Sequence, residues 1–313
     1  MSRKVIIDCD PGVEDAVALA LALFSPKLDV TALTAVAGEV SAEQASRNIQ
    51  VVIEQLDPPR FPRVGSALPH DTAPVQEARR VSGDDGLAGL SWNVSLLVHQ
   101  HNSEKIIGDE IRNDPEMTTI LCLGPLTNLA RAFQRDPSLE TSVGRIIMLG
   151  GSVSGVGNVT PAAEFNMHYD PESARQIFRS PTTKTLIPLD VTRQVTFGLD
   201  LINELPAEQT RSGGFLRKLL THAFRMYRNV YGQESLCLHA AVAVVAAMQP
   251  ELFETRELFG DIETHGELTT GATIFDRRPE YRGRATANME VALEVDVAAV
   301  RDTIVRGLAS IAK

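Results

Sequence analysis

Three cysteines in 313 residues, none in a CxxC pair, leave neither a disulfide framework nor a thiolate metal clamp. Cys9, Cys122 and Cys237 each sit in an apolar run, as reduced buried thiols of a cytoplasmic protein would. Long apolar stretches are missing too. The longest, near Ala16–Phe24 and Ala240–Met248, fall well short of the ~18 residues of a membrane span. The basic start, MSRKVIID, is broken by Asp8 before a signal-peptide core can form. Positive charge is in deficit: 30 Lys and Arg against 40 Asp and Glu give a net charge of -10. That balance argues against nonspecific nucleic-acid or anionic-membrane binding. No GxGxxG run follows a strand and no P-loop is present, which removes the usual dinucleotide and nucleotide sites.

What is present is a globular core, with 43% hydrophobic residues. Short β-branched or apolar runs predict strands at Lys4–Ile7, Val30–Val36, Thr118–Leu123, Arg145–Leu149 and Lys184–Leu189. Helical patterns fall between them, at Asp15–Leu23, Ala42–Leu56, Ser103–Arg112, Asn128–Phe133 and Pro171–Phe178. This alternation predicts βαβ units on an open, mainly parallel sheet flanked by helices, a Rossmann-like α/β core. Beyond about Leu201 the pattern turns helical, then predicts a strand pair at Leu258–Thr264 and Met289–Val295 and a last helix from Val297. No linker, low-complexity segment or repeat interrupts the chain, so one domain is expected over residues 1–313. Ligands of such sheets bind beyond the carboxyl ends of the strands. Polar clusters stand there repeatedly: DCDPG, AGEVS, GPLTN and GGSVSG each follow a predicted strand.

The first cluster, VIIDCDPGVEDAVALA at Val5–Ala20, gathers Asp8, Asp10, Glu14 and Asp15 at a strand-to-helix turn. Pro11 and Gly12 predict a sharp turn. Glu14 and Asp15 suit the first turn of a helix, where carboxylates complement the dipole. That explanation does not cover Asp8 and Asp10 in the same place. Crowded carboxylates repel unless a cation or shared proton relieves them, and hard oxygens suit Ca²⁺ or Mg²⁺. A haloacid-dehalogenase-like phosphatase also has DxD after its first strand, but needs a small hydroxyl residue where this chain has Pro11-Gly12. A metal-assisted glycosidase is the other reading.

The stretch DCDPGVEDA resembles the DxDPGxDDA signature of the inosine–uridine-preferring nucleoside hydrolases. Further segments resemble that family in order: GEVSAEQASRN, SGDDGL, LGPLTNLA, GNVTPAAEFNMHYDPESA, LHAAVAVVAAMQPELF and DIETHGELTTGATIFD. The resemblance implies hydrolysis of the N-glycosidic bond of ribonucleosides, with a bound Ca²⁺ holding water and the ribose diol. It implies Asp10 as base and metal ligand, Asp15 as metal ligand, and Thr127 as a ligand through its carbonyl. Glu164, Asn166 and Asn158 match ribose contacts, and Glu14 and Glu39 stand where ribose hydroxyls bind. His239 matches a histidine that helps protonate the leaving base; by itself it would be taken for a core or helix-start histidine. Asp10, Asp15, Thr127, Glu164, Asn166 and His239 are therefore expected to line one cleft. A homodimer or homotetramer acting on a small nucleoside is implied as well.

Four positions depart from the family pattern. Glu14 replaces an Asp, Glu39 an Asn, and Ser82-Gly83 a His-Gly pair. The family's His-Asp, whose Asp binds metal and ribose, is His239-Ala240 here, with the register held by Pro250–Phe253. Ala240 removes one anion and Glu39 restores one. Three outcomes stay open: compensation by Glu39 or Glu14, an altered sugar substrate, or a non-catalytic nucleoside- or ribose-binding protein.

Overall fold

Val5, Ile6 and Ile7 are fully buried, as a strand covered on both faces must be. They form the centre of β1 (Arg3–Cys9) in a computed structural model that describes residues 2–72, 81–90, 92–94, 101–278 and 287–311. The sheet continues with β2 (Leu28–Ala35), β3 (Arg63–Ser66), β4 (His101–Asn102), β5 (Thr119–Cys122), β6 (Arg145–Leu149), β7 (Lys184–Ile187), β8 (Phe253–Leu258) and β9 (Met289–Val295). The nine strands run β8-β9-β7-β6-β5-β1-β2-β3-β4. Every pairing is parallel except β8 with β9.

The main helices are α1 (Val13–Phe24), α2 (Ala42–Leu56), α3 (Ser103–Asn113), α4 (Thr127–Arg135), α5 (Pro171–Arg179), α6 (Arg211–Met226), α7 (His239–Met248) and α8 (Val297–Ala309). Strand alternation divides the core between two faces. Val5, Ile7 and Cys9 join the cluster that holds α1, α2, α6, α7 and α8. Ile6, Ala32, Ile120 and Cys122 join the one that holds α3, α4 and α5. Helix starts follow local chemistry: Ser41 caps α2 by accepting from Gln44, and Asp170 caps α5 by accepting from Ser173, with Pro171 at the first position. Helix α7 is apolar all round from Ala240 to Ala247, and that stretch sits in the core against α1. Among the described residues no helix is long and apolar enough to cross a membrane.

The predicted helices and first five strands match within a few residues, apart from the last strand. Leu189, expected in a strand, instead opens a short helix, Leu189–Thr192, after Pro188. The late pair differs more. Met289–Val295 pairs with Phe253–Leu258, whereas Gly260–Ile262 turns away to pair with Thr273–Phe275. Phe253–Leu258 reads FETREL, an edge strand with four exposed polar residues and no apolar run to declare it, so the sequence pattern puts the strand on the more apolar stretch after it. Strand β3, RVGS, buries only Gly65 and carries no apolar run that would declare it.

Candidate functional site

At the carboxyl edge of the sheet lies a cleft of about 950 Å³. Asp10, Glu14, Asp15, Glu39, Asn158, Glu164, Asn166, His239 and Ala240 all line it. Thr127 does not: it starts α4 behind the wall, and its hydroxyl donates to Asp170 at 2.6 Å. Five of the six residues expected to share a cleft therefore do so.

The floor is the turn from β1 into α1. Asp10 lies just past the strand end and is 4% exposed. Its Oδ2 accepts from the Glu39 backbone N–H at 2.7 Å, and Asp15 Oδ2 accepts from the Gly12 N–H at 3.1 Å. Gly12 has φ −102°, a value open to any residue. Glycine is needed there for space: a β-carbon would stand 2.2 Å from Glu39 Oε2 and 3.4 Å from Ser82 Oγ. Gly38 and Gly124 leave the same kind of room around Asp10. The Glu39 carboxylate thus lies over the Gly12 backbone, beside the Asp10–Asp15 pair.

Asp8 is not part of this floor. It shares the face of Ile6, where its Oδ1 accepts from Thr34 at 2.5 Å and Asn128 at 2.8 Å. Its Oδ2 is buried without a partner. Burial raises the Asp8 carboxyl to about 7, against both donors.

The second wall comes from the loop after β6. Gly150 and Gly151, at φ +144° and +70°, turn the chain out of the strand. Glu164 Oε2 accepts from Gly151 N–H at 3.0 Å and Met167 N–H at 3.3 Å. Asn166 Nδ2 donates to the carbonyls of Leu123 and Leu149, spanning the ends of β5 and β6. Asn158 Oδ1 holds Phe165 N–H at 2.8 Å. Arg193 clamps the same loop through the carbonyls of Val156 and Gly157.

The third wall is formed by α7 and the segment before it. His239 Nδ1 lies 2.7 Å from the Thr192 hydroxyl, with Ala240 buried beside it. The Glu14 carboxylate reaches this wall. It accepts from His239 N–H at 3.0 Å and from the Tyr227 hydroxyl at 3.1 Å. Tyr227, Tyr231, Gln233, Glu234, Ser235 and Cys237 complete the lining. Sequence reasoning missed all six. The only signal was the Tyr–Tyr spacing of four in YRNVY, which puts both rings on one side of a helical turn.

Six carboxylates line the cleft, and Arg193 is the one arginine or lysine among the described lining residues. Burial and then Asp15 hold Asp10 well above the ordinary carboxylate range, while the Glu39 N–H opposes them. Burial lifts Asp15 to about 6. Burial and Asp15 lift Glu14 to about 7, and burial lifts Glu164 to about 7. His239 is pressed down to about 4 by burial and then Arg193, so its imidazole is neutral near pH 7. Neither Asp10 nor Asp15 has a cationic side chain as partner among the described residues. Such a set wants protons or a cation. Its hard oxygens fit a Ca²⁺- or Mg²⁺-class ion by donor chemistry, although no three Asp, Glu, His or Cys side chains among the described residues close on one point.

A family model described as inosine-uridine preferring nucleoside hydrolase matches residues 5–302. The chain is 36% identical over 300 residues to a non-specific ribonucleoside hydrolase RihC of Salmonella enteritidis, covering 94% of each chain. It is 35% identical over 321 residues to the RihC of Escherichia coli, covering 99% of each. Among solved structures, a purine-preferring ribonucleoside hydrolase from Gardnerella vaginalis superposes with a TM-score of 0.91 at 26% identity, covering 99% of each chain. A plant nucleoside hydrolase, PpNRh1, superposes at 0.88 with 29% identity, covering 99% of this chain and 100% of that one.

Proposed function

This chain belongs to the inosine-uridine preferring nucleoside hydrolase family, and on that premise we propose that the cleft described above hydrolyses ribonucleosides to base and ribose. The observation that carries the assignment is the meeting of Asp10, Asp15, Glu164, Asn166 and His239 in one cleft, from segments up to 229 residues apart.

Asp10 takes the proton of the attacking water. It stands at the strand end in the cleft, with its Oδ2 held by the Glu39 N–H, so its carboxylate is fixed beside the place where the water must sit. Asp10 and Asp15 would hold a divalent cation, Ca²⁺ by family resemblance, with the Thr127 carbonyl as a further oxygen ligand. Such an ion lowers the pKa of water bound to it. Glu164, Asn166 and Asn158 receive the sugar, with Glu164 and Asn166 fixed by backbone partners before substrate arrives. The surrounding carboxylates favour the positive charge that develops on the ribose. His239 is neutral and held by Thr192, so it offers a hydrogen bond to the departing base rather than an imidazolium proton. The base is left to the outer cleft, where Tyr231 is exposed.

Glu14 and Glu39 stand in place of the carboxylate missing at residue 240. Glu39 adds a charge beside Asp10, and Glu14 puts its carboxylate at the α7 N-terminus, next to Ala240. The rival reading, a non-catalytic nucleoside-binding protein, is favoured by Ala240 and by Ser82, which stand where the family has Asp and His. The protein is further proposed to act in the cytoplasm as a homodimer or homotetramer. The reduced Cys9 and Cys122 are in keeping with that compartment, and light scattering tests the assembly. The decisive assay follows release of free base from inosine and uridine with calcium and with chelator. Calcium-dependent release is expected. No release from any ribonucleoside in calcium would leave the binding protein as the reading.

A further inference from the structure

The Glu14 carboxylate has two partners on two elements. Its Oε2 holds the first N–H of α7, and its Oε1 holds the Tyr227 hydroxyl. It therefore joins the first turn of α1, the start of α7, and the turn Tyr227–Tyr231 that follows α6. The positive end of α7 and these two donors explain why a carboxylate settles there. Ala240 leaves that helix end to Glu14, because it brings no oxygen of its own. An aspartate at position 14 would fall short of Tyr227 by roughly 1.5 Å, one C–C bond. The Tyr227 ring meets Tyr231 edge-on at 5.5 Å, and both line the cleft with Gln233 and Glu234. One hydroxyl thus ties the outer wall of the cleft to its floor.

From this geometry we infer that Tyr227 is a positioning residue that acts through Glu14. Its hydroxyl fixes the carboxylate at the α7 N-terminus, where it accepts a sugar hydroxyl, and draws the 227–235 wall against the bound nucleoside. The inference rests on the nucleoside-hydrolase reading above. Tyr227 touches no reacting atom, and its bond to Glu14 is the same with substrate bound and in the transition state. Losing it removes uniform binding, which appears in KM and not in kcat.

The test compares the wild-type chain, Tyr227→Phe, Glu14→Ala and the double variant on inosine and uridine in calcium, with calcium affinity by calorimetry. Tyr227→Phe is expected to raise KM about tenfold, in line with a hydrogen bond to a charged group. Its kcat stays within about threefold, and calcium affinity is unchanged. In the Glu14→Ala background the same change adds less than about threefold, because the acceptor is already gone. If Glu14→Ala does not fold, the KM-against-kcat split of Tyr227→Phe decides alone. An unchanged KM, a kcat that falls with kcat/KM, weakened calcium binding, or additive effects in the double variant overturn the inference. Should the wild-type chain release no base, both this inference and the enzyme reading fall. Should it turn over normally while Tyr227→Phe matches it, only this inference does.

Discussion

The floor and the outer wall of the cleft are built on different principles. The floor hangs on the end of a central strand and the start of a buried helix, and its carboxylates take backbone N–H groups as partners. The wall at 227–235 is a turn and loop with Tyr231, Gln233 and Glu234 exposed, tied down by the Tyr227 hydroxyl. A rigid floor suits chemistry, which needs fixed reacting groups. A wall anchored through the Tyr227 hydroxyl suits substrate choice, since that bond can be remade without disturbing the sheet. Changes on the floor should therefore cost turnover, and changes on the wall should cost affinity.

The largest effect is expected from Asp10→Asn. It should lower kcat by at least ~10²–10⁴-fold, the usual worth of a general base, with loss of a metal ligand added. Circular dichroism should show the fold retained. Near-normal turnover would sink the assignment of Asp10 as base, and with it the floor's side of the comparison.

Next comes Ala240→Asp, which places a new carboxylate where floor and wall meet. The α7 N-terminus already carries Glu14, so like-charge repulsion of roughly 1–3 kcal/mol is expected without metal. Activity should fall or gain little. Shortening the rival charge with Glu14→Asp in the same chain should relieve the clash. A large gain in both calcium affinity and turnover from Ala240→Asp alone would instead show that the site lacks a ligand that Glu14 and Glu39 do not supply.

The buried carboxylates of the floor and its surroundings also predict a pH dependence. Asp15 is raised to about 6, and Asp8, Glu14 and Glu164 to about 7, all chiefly by burial. Unfolded carboxyls titrate near ~4. The metal-free folded chain thus binds more protons than the unfolded chain between those values. Its stability is fully present below about pH 4 as far as these groups go, and is lost as pH rises through about 7. Calcium binds the deprotonated form, so its stabilising effect should be largest at pH 8 and fade below about 6. Thermal melts across pH 5 to 8, with calcium and with chelator, check both signs. A calcium shift independent of pH would argue against Asp15 as a ligand.

The smallest change is expected from Tyr231→Ala on the wall. It removes an exposed ring that stacks edge-on with Tyr227. A few-fold rise in KM is expected, of the order of ~1 kcal/mol for one aromatic contact, with melting temperature and calcium affinity unchanged. An equal fall in kcat would erase the distinction between floor and wall.

Strand alternation and helix periodicity made the parallel sheet legible in the chain, because burial on both faces demands unbroken apolar runs. The nucleoside-hydrolase resemblance was likewise readable, since DCDPG, GPLTN and AEFN are local in sequence. Residues that act through local backbone geometry, such as Asp15 under Gly12, leave such local marks. The fate of individual carboxylates was not readable. Asp8 and Asp10 lie two positions apart, yet one enters a structural network with Thr34 and Asn128 and the other enters the cleft. The difference arises because β1 ends at Cys9, so Asp8 keeps the strand's facing while Asp10 escapes it. The Tyr227–Glu14–His239 junction spans 225 residues and depends on two apolar helices, α1 and α7, packing with their first turns together. No local pattern encodes a meeting of that kind. Sequence by itself determined the strand-and-helix alternation, the family resemblance and the acidic turn, because the first and last are written in local patterns and the second in short matched motifs. Only the tertiary structure decided which acids face the cleft and what each one holds, because those bonds form between segments that the chain keeps far apart.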